Sequence, residues 1–363
     1  MEDMRGGDDP MTDSVSVLWV DDKDRNEDAK NLASKSLLVS WCHPQELDNK
    51  LHAYVETGHS PDLFLVDFAL NQTPDLSKSK YPHNGLTAAA IIREKYPEHP
   101  VYLATEQFIK DDTPQLTKWS RATEDTFDCI LSVKQLQREQ KDNQSLYFDA
   151  LDYKKIRTQT RHGNLKSLLA LLNAPDSALE MIELALPDEL RKGLATKTSP
   201  DQKGNTISFA KWVRGSLTNN PGILYSELYA ATLLGVNERG FARISKHFGD
   251  DVYSGVFSRA YDTLWWVSAL KERLFSFKNA RKIKSSDTRL VSQTIFSVQK
   301  DQKSKCVVCS ELLPDTVGSN IDNPNEVGQV HFKCSIPDPR KRPELYFEGP
   351  RVFSRTMEHT DGP

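Results

Sequence analysis

Short apolar runs alternate with amphipathic segments through the first part of the chain. The apolar runs, which predict strands, are residues 15–20, 36–41, 62–68, 100–105 and 127–133. The amphipathic segments, which predict helices, are residues 24–35, 44–57, 85–96, 113–121 and 135–150. Parallel strands need long crossover connections, and helices cover both faces of such a sheet. The alternation therefore predicts a doubly wound, five-stranded parallel α/β sheet.

Polar side chains stand where these predicted strands end. In strand order they are Asp21, Asp22, Asp67, Thr105 and Lys134. Ligand sites of an open α/β sheet lie outside the carboxyl ends of its strands, so we expect these residues to converge. Adjacent carboxylates repel each other unless a cation lies between them, and oxygen ligands suit Mg²⁺. One carboxylate can then act as a nucleophile toward a phosphoryl group, while a hydroxyl and an ammonium bind the phosphoryl oxygens.

Because of these five residues and their strand order, the segment 14–150 resembles the receiver domain of bacterial two-component response regulators. The resemblance implies a flavodoxin-like fold, with Asp21, Asp22 and Asp67 as ligands of Mg²⁺. It implies that Asp67 accepts the phosphoryl group and that Thr105 and Lys134 contact it. The partner implied is a sensor histidine kinase, and the chain is expected to catalyse only its own phosphorylation.

The chain departs from the usual receiver pattern at several positions. The segment between Asp67 and Gly85 is about ten residues longer than usual, and loops of that length are often functional. Glu106 follows the predicted switch threonine, and Gln135 stands where the family has a proline after its lysine. Leu131 occupies the position of the aromatic residue that usually rotates on phosphorylation. The residues that a receiver uses for phosphotransfer are present, whereas the residues that usually transmit the phosphorylation state are absent.

Three functions from different classes stay open on this pattern. The first is a response regulator that signals through its C-terminal region. The second is a phosphorelay intermediate or phosphate sink, which would tune another response regulator. The third is a receiver-fold scaffold that is never phosphorylated.

The remaining chain divides into three predicted segments. Residues 151–300 carry apolar residues at helical spacing and predict an all-α domain, with Trp265 and Trp266 in an apolar helix. Residues 301–336 hold a cysteine cluster, and residues 337–363 read as an irregular, Pro-rich tail. Residues 1–13 are polar and acidic, without the apolar stretch of a signal peptide, and are expected to be a disordered lead.

The cysteine cluster has the spacing of a small zinc-binding module. Its residues are Cys306, Cys309, His331 and Cys334, in the pattern C-x2-C, 21 residues, H-x2-C. Three thiolates and one imidazole complete a closed tetrahedral set, which indicates structural rather than catalytic Zn²⁺. The two other cysteines, Cys42 and Cys129, are predicted to be buried thiols.

Charge and hydropathy restrict the possible partners. The net charge of −4 argues against a protein that coats nucleic acid generally. Residues 271–305 nevertheless contain ten Lys or Arg and three acidic residues. The favoured interpretation is a solvated helix and linker, and the alternative is a surface that contacts nucleic-acid phosphates. No apolar run approaches the roughly 20 residues of a membrane helix. With no secretion signal and an odd number of cysteines, the expected location is the cytoplasm.

Overall fold

The computed structural model describes most of the chain and divides it into two compact units. The described residues are 14–70, 84–105, 126–138, 144–162, 165–195, 205–260, 262–341, 344 and 347–354. The first unit comprises Met1–Leu165 and Lys192–Lys211, and the second comprises Lys166–Arg191 and Trp212–Pro363.

The first unit is built on a parallel sheet. Its strands are β1 (Val15–Val20), β2 (Leu37–Cys42), β3 (Leu63–Val66), β4 (Val101–Thr105) and β5 (Cys129–Ser132). All neighbouring pairs are parallel, in the spatial order β2-β1-β3-β4-β5. This is the flavodoxin-like order, in which the chain reverses direction across the sheet beside β1. The doubly wound sheet predicted from the alternating pattern is confirmed.

The central strands are continuous apolar runs because both faces of the sheet are covered. Every residue of β3 and β4 is buried, and β1 is buried except for Ser16. Leu18, Val20, Phe64 and Val66 belong to one apolar cluster with the inner faces of the neighbouring helices. Such two-sided burial is the reason that these strands lack the polar–apolar alternation of a sheet with one wet face.

In the described part of the first unit, three helices lie between strands and the next two follow β5. They are α1 (Asn26–Leu32), α2 (Leu47–Thr57), α3 (Gly85–Lys95), α4 (Val133–Arg138) and α5 (Gln144–His162). Gly58 ends α2 in the left-handed conformation, with φ of 69°. Asn84 caps α3 by accepting a hydrogen bond from the Thr87 N–H at 2.9 Å. The helix predicted at residues 113–121 lies outside the described residues.

The fifth strand is shorter than predicted. The apolar run was expected to extend to residue 133 and to end in Lys134, but β5 ends at Ser132 and Lys134 lies in α4. Val133 is only 1% exposed although it belongs to the helix. An apolar run therefore continued across the strand–helix junction, and periodicity alone could not locate the end of the strand.

The predicted domain boundary at residue 150 is also wrong, because it falls inside α5. Tyr153 and Ile156, beyond that boundary, are fully buried in the first unit. Arg157 forms a buried ion pair with Asp62 at 2.6 Å. The last two turns of α5 therefore complete the core of the sheet domain.

The second unit is mainly helical. The later helices are α6 (Leu165–Ala170), α7 (Asp176–Ala185), α8 (Asp188–Ala195), α9 (Asn205–Trp212), α10 (Glu227–Leu233), α11 (Glu238–Ile244), α12 (Val267–Ala280) and α13 (Thr288–Ile295). Residues 192–211, from α8 and α9, belong to the first unit. The region is not purely helical, since β6 (Leu224–Tyr225) pairs antiparallel with β7 (Trp265–Trp266). The two tryptophans are thus buried in a short strand before α12, rather than in a helix.

A four-stranded sheet completes the second unit. It consists of β8 (Thr316–Asn320), β9 (Val327–Val330), β10 (Ile336–Pro337) and β11 (Arg351–Phe353), in the order β10-β11-β8-β9. The predicted irregular tail therefore contains a strand, with Val352 and Phe353 fully buried. Gln329 of β9 donates to the Val236 carbonyl at 2.8 Å, so the cysteine-rich segment packs on the helices and is not a separate module.

Helices of the described ranges do not have both the length and the apolar character needed to cross a bilayer.

Candidate functional sites

Three buried carboxylates meet at the carboxyl ends of β1 and β3. Asp21 and Asp22 directly follow β1, and Asp67 directly follows β3. The two strands are neighbours, and the Asp67 N–H donates to the Val20 carbonyl at 2.9 Å. One oxygen from each of the three carboxylates lies within 4.8 Å of the others. The convergence expected for these three residues is therefore present, and we call them the acidic cluster.

Burial and mutual repulsion disfavour ionisation in the acidic cluster. Burial, followed by the charge of Asp21, raises the pKa of Asp67 to about 6, against the opposing effect of the Phe68 and Ala69 N–H groups. Burial also raises the pKa of Asp21, although the Lys23 N–H and the Arg25 guanidinium oppose it. Buried like charges are relieved by a cation between them, and an all-oxygen donor set suits a hard divalent ion. The residues present therefore fit Mg²⁺.

An arginine that sequence reasoning missed lies against this cluster. Arg25 is 7% exposed, donates from Nε to Asp21 Oδ2 at 2.8 Å, and lies over the Trp19 ring at 5.5 Å. The other Asp21 oxygen accepts from the Lys23 N–H at 2.9 Å. Both Asp21 oxygens therefore accept hydrogen bonds, which fix the orientation of this carboxylate within the cluster. The Asp-x3-Arg spacing was the available signal.

Gly85 allows α3 to approach the acidic cluster closely. The Gly85 N–H donates to the Phe68 carbonyl at 2.9 Å. A Cβ at this position would lie 2.5 Å from the Asp67 carbonyl oxygen, closer than non-bonded atoms tolerate. The glycine thus lets the start of α3 pack directly against the backbone that carries Asp67.

Thr105 and Lys134 occupy different surroundings. Thr105 is the last residue of β4 and is 2% exposed. The β3–β4 register aligns Val66 with Leu103, which places Thr105 at the same edge of the sheet as Asp67. Lys134 is exposed on α4 and forms no ion pair within the described part of the chain. Glu106 and the long segment after Asp67, except for residues 68–70 and 84, lie outside the described residues.

The predicted zinc ligands come together in the second unit. One ligand atom from each of Cys306, Cys309, His331 and Cys334 lies within 4.8 Å of the others. The Val307 N–H donates to the Gln329 carbonyl at 3.0 Å, which joins the C-x2-C turn to β9. His331 follows β9 directly, and Cys334 ends a short 3₁₀ turn. We call these four residues the Cys3His cluster.

The histidine of the Cys3His cluster is oriented by both ring nitrogens. Nδ1 lies 3.4 Å from Cys309 Sγ, and Nε2 lies 3.1 Å from the Leu312 carbonyl oxygen. Metal-binding histidines commonly hold a carbonyl through the second nitrogen in this way, which fixes the tautomer. Nδ1 is then the nitrogen that faces the thiols.

The thiols of the Cys3His cluster have opposite tendencies to ionise. Burial tends to raise the pKa of Cys306, but the Cys309, His331 and Val308 N–H groups outweigh it and lower the pKa to about 7. Burial, followed by the neighbouring Cys309 and Cys306, raises the pKa of Cys334 to about 12. Crowded sulfurs of this kind ionise together only around a cation, and three thiolates with one imidazole suit Zn²⁺.

The two remaining cysteines differ from each other. Cys42 is buried at the end of β2, and burial raises the pKa of its thiol to about 11. Cys129, predicted to be buried, is only partly buried on β5. The reason is that β5 is an edge strand of the sheet. All five cysteines are described, and none forms a disulfide.

Comparison with known proteins returns only remote structural similarity. No protein-family model matches the chain, and no curated protein matches it. A response regulator receiver domain protein from Clostridium thermocellum is 17% identical, with a TM-score of 0.26, over 39% of this chain and 98% of that chain. The receiver domain of nitrogen regulatory protein C is 18% identical, with a TM-score of 0.24, over 37% of this chain and all of that one.

One solved structure is similar over more of the chain. NtrX from Brucella abortus, in complex with ADP, is 12% identical over 83% of each chain, with a TM-score of 0.27. At such scores these similarities carry no argument about function. The strand order and the two clusters define the class of this chain. It combines a flavodoxin-like α/β unit that carries the acidic cluster with a mainly helical unit that carries the Cys3His cluster.

Proposed function

We propose that this chain is a two-component response regulator whose Asp67 accepts a phosphoryl group from a sensor histidine kinase. The observation that carries the proposal is the acidic cluster, three buried carboxylates at the carboxyl ends of adjacent central strands in a sheet of order β2-β1-β3-β4-β5. Burying like charges together destabilises a fold. A buried acidic cluster is therefore better explained by a chemical function than by packing.

The proposed chemistry is a transfer to a carboxylate oxygen. An Asp67 oxygen forms a bond to phosphorus as the P–N bond of the donor phosphohistidine breaks, and the released imidazole takes up a proton. Asp22 and Asp67 would hold Mg²⁺, which when bound screens the carboxylates from the incoming phosphoryl oxygens. Thr105 would donate a hydrogen bond to the new acyl phosphate, and Lys134 would reach it from α4. The chain is then a phosphoacceptor rather than an enzyme acting on other substrates.

The test is the intact mass of the protein after incubation with a small phosphodonor and Mg²⁺. We expect one added phosphoryl group on the wild type and none on Asp67→Asn. Asp48→Asn, a change to an exposed aspartate of α2, is the matched control and should be phosphorylated normally. If several donors leave the wild type unmodified while Mg²⁺ is bound, the chain is a scaffold with a receiver fold.

A second candidate function is a phosphate sink or phosphorelay intermediate. It is favoured by Leu131, because β5 carries this aliphatic residue where a receiver usually carries a switch aromatic. A sink returns or discards the phosphoryl group without changing its C-terminal unit. Hydrogen exchange of the second unit with and without phosphorylation separates the candidates, since a regulator with an output changes there and a sink does not.

We propose a structural role for Zn²⁺ in the Cys3His cluster. All four positions of a tetrahedral site would be filled by protein side chains, which leaves none for a substrate or a reactive water. The metal would hold the C-x2-C turn against β9, in addition to the hydrogen bond from the Val307 N–H to the Gln329 carbonyl. Metal analysis of protein purified without added zinc tests this assignment.

A further inference from the structure

A pocket in the second unit combines positive charge with aromatic rings. It has a volume of about 510 Å³, in the range of small-molecule sites, and lies between α11, α12 and the end of α13. Its cationic and aromatic lining residues are Arg243, Lys246, His247, Phe277, Arg281 and Phe296. Among the described residues that line it, none is acidic.

The two guanidinium groups are held in place without being neutralised. Arg243 donates to the Phe296 carbonyl and to the Ser297 carbonyl, and Arg281 donates to the Ile295 carbonyl. These carbonyls belong to the last residue of α13 and the two residues that follow it, where cations are favoured. A carbonyl leaves the positive charge intact, and a guanidinium has five N–H donors, so each arginine retains donors for another acceptor.

The acidic residues that follow Lys246 and His247 in the sequence form ion pairs with an arginine outside the pocket lining. Asp251 pairs with Arg273 at 2.7 Å, and Asp250 pairs with the same guanidinium at 3.3 Å. Lys246, by contrast, is exposed and has no ion pair in the described ranges. The pocket is therefore a local positive region on a chain whose net charge is −4.

The aromatic rings form a stack that reaches the surface. His247 stacks on Phe296 with centroids 5.2 Å apart and an angle of 27° between planes. Phe277 meets Phe296 edge-on at 6.0 Å, which fixes the orientation of the Phe296 ring. His247 is exposed, so a flat ligand can extend the stack from outside. Flat rings beside cations are the arrangement on which bases of single-stranded nucleic acid bind.

We propose that this pocket binds one nucleotide unit of single-stranded nucleic acid. The base stacks on His247, and its phosphate lies against Lys246, Arg243 and Arg281. Lys282 and Lys284 are exposed directly after Arg281 and continue the positive charge, which favours a polymer backbone over a free nucleotide. The inference does not depend on phosphorylation of Asp67.

The test is the fluorescence anisotropy of labelled single-stranded DNA and RNA oligonucleotides titrated with the full chain. Lys246→Glu and His247→Ala are the informative variants, because neither side chain forms a hydrogen bond or ion pair within the described structure. We expect Lys246→Glu to weaken binding about tenfold and to reduce its salt dependence. His247→Ala should weaken binding about tenfold at every salt concentration, because it removes stacking rather than charge.

Lys166→Glu is the matched control, since it makes the same charge change at an exposed lysine outside the pocket lining. It should bind as the wild type does. Equal losses in Lys166→Glu and Lys246→Glu would overturn the pocket as the site. Full displacement of the oligonucleotide by a mononucleotide of equal affinity would overturn the polymer assignment, and no binding by the wild type at low salt would overturn the proposal altogether.

Discussion

Arg25 sets the charge of the acidic cluster. Its guanidinium and Asp21 form an ion pair in which both side chains are almost fully buried. A divalent cation approaching Asp22 and Asp67 therefore meets a site that is already partly neutralised. Arg25 also lies over Trp19, and the Trp41 indole donates to the Asp21 carbonyl at 3.0 Å, so two tryptophans lie beside the acidic cluster.

The first prediction concerns Arg25→Ala. Without the guanidinium the cluster is more negative, so we expect tighter Mg²⁺ binding by the variant. The metal-free variant should lose about 3 kcal/mol of stability, because the buried Asp21 keeps its charge and loses its partner. Mg²⁺ titrations followed by tryptophan fluorescence and urea unfolding measure the two effects. Lys30→Ala, an exposed change on α1, is the control; weaker Mg²⁺ binding in Arg25→Ala would show that Arg25 orients the ligands instead.

The second prediction follows from the pKa of Asp67, which is raised from 3.8 to about 6. Between these values the folded metal-free protein binds more protons than the unfolded chain, so its stability falls as the pH rises through this window. The loss is about 2–3 kcal/mol, and Asp67→Asn should abolish it. Urea unfolding from pH 4 to pH 8 with a chelator measures it, beside the exposed change Glu56→Gln. An unchanged pH profile in Asp67→Asn contradicts the shift.

The sequence alone predicted which residues come together in each cluster, but not what surrounds them. Asp21, Asp22 and Asp67 could be placed together because neighbouring parallel strands end at one edge. The Asp-x3-Arg spacing allowed a pairing of Arg25 with Asp21 but did not determine it, because the pairing depends on how the loop after β1 folds back over Trp19. Lys134 was placed at a strand end because a buried apolar run does not show where a strand becomes a helix.

At the scale of elements, strands that form continuous apolar runs were predictable from the sequence, whereas the strand β11 was not. The run 15–20 coincides with β1, and the other predicted strands overlap their observed counterparts. The three-residue strand β11 carries too short a pattern to be recognised inside a Pro-rich segment. Its burial depends on pairing with β8 and β10, which lie 15 to 35 residues earlier, and such pairing cannot be read from local sequence.

The third prediction is that the four-stranded sheet depends on metal. The buried cluster at its centre contains Cys306, Cys334, Val330 and Phe353, of which two are cysteines. So small an apolar core needs a further source of stability. We expect Cys306→Ser to lose Zn²⁺ and to speed amide exchange in β8, β9 and β11, while β1 to β5 stay protected. Hydrogen-exchange mass spectrometry measures this, with Cys129→Ser as the control; unaltered exchange in Cys306→Ser would rule out the dependence.

At the scale of the whole molecule, each unit has its own core and its own candidate metal. The first core surrounds the parallel sheet, and the second joins the helices through residues such as Phe241 and Leu270. Because the residues of each cluster belong to one unit, a metal bound to a cluster would stabilise that unit by mass action.

The fourth prediction is that calorimetry resolves two thermal transitions. Mg²⁺ should raise only the transition of the first unit, and a zinc-selective chelator should lower only that of the second. Asp67→Asn and Cys306→Ser identify the transitions, since each variant should remove the response to one metal. A single transition that both treatments move would contradict independent unfolding of the units.

The path of the chain between the units limits how recombination between genes can exchange them. Residues 166–191 belong to the second unit, yet the chain then returns to the first for residues 192–211. A single crossover between genes could not transfer either unit whole, because every breakpoint between 166 and 211 leaves a fragment of one unit attached to the other. The two units are therefore expected to be inherited as one piece, whereas two domains joined by a single linker can be exchanged separately.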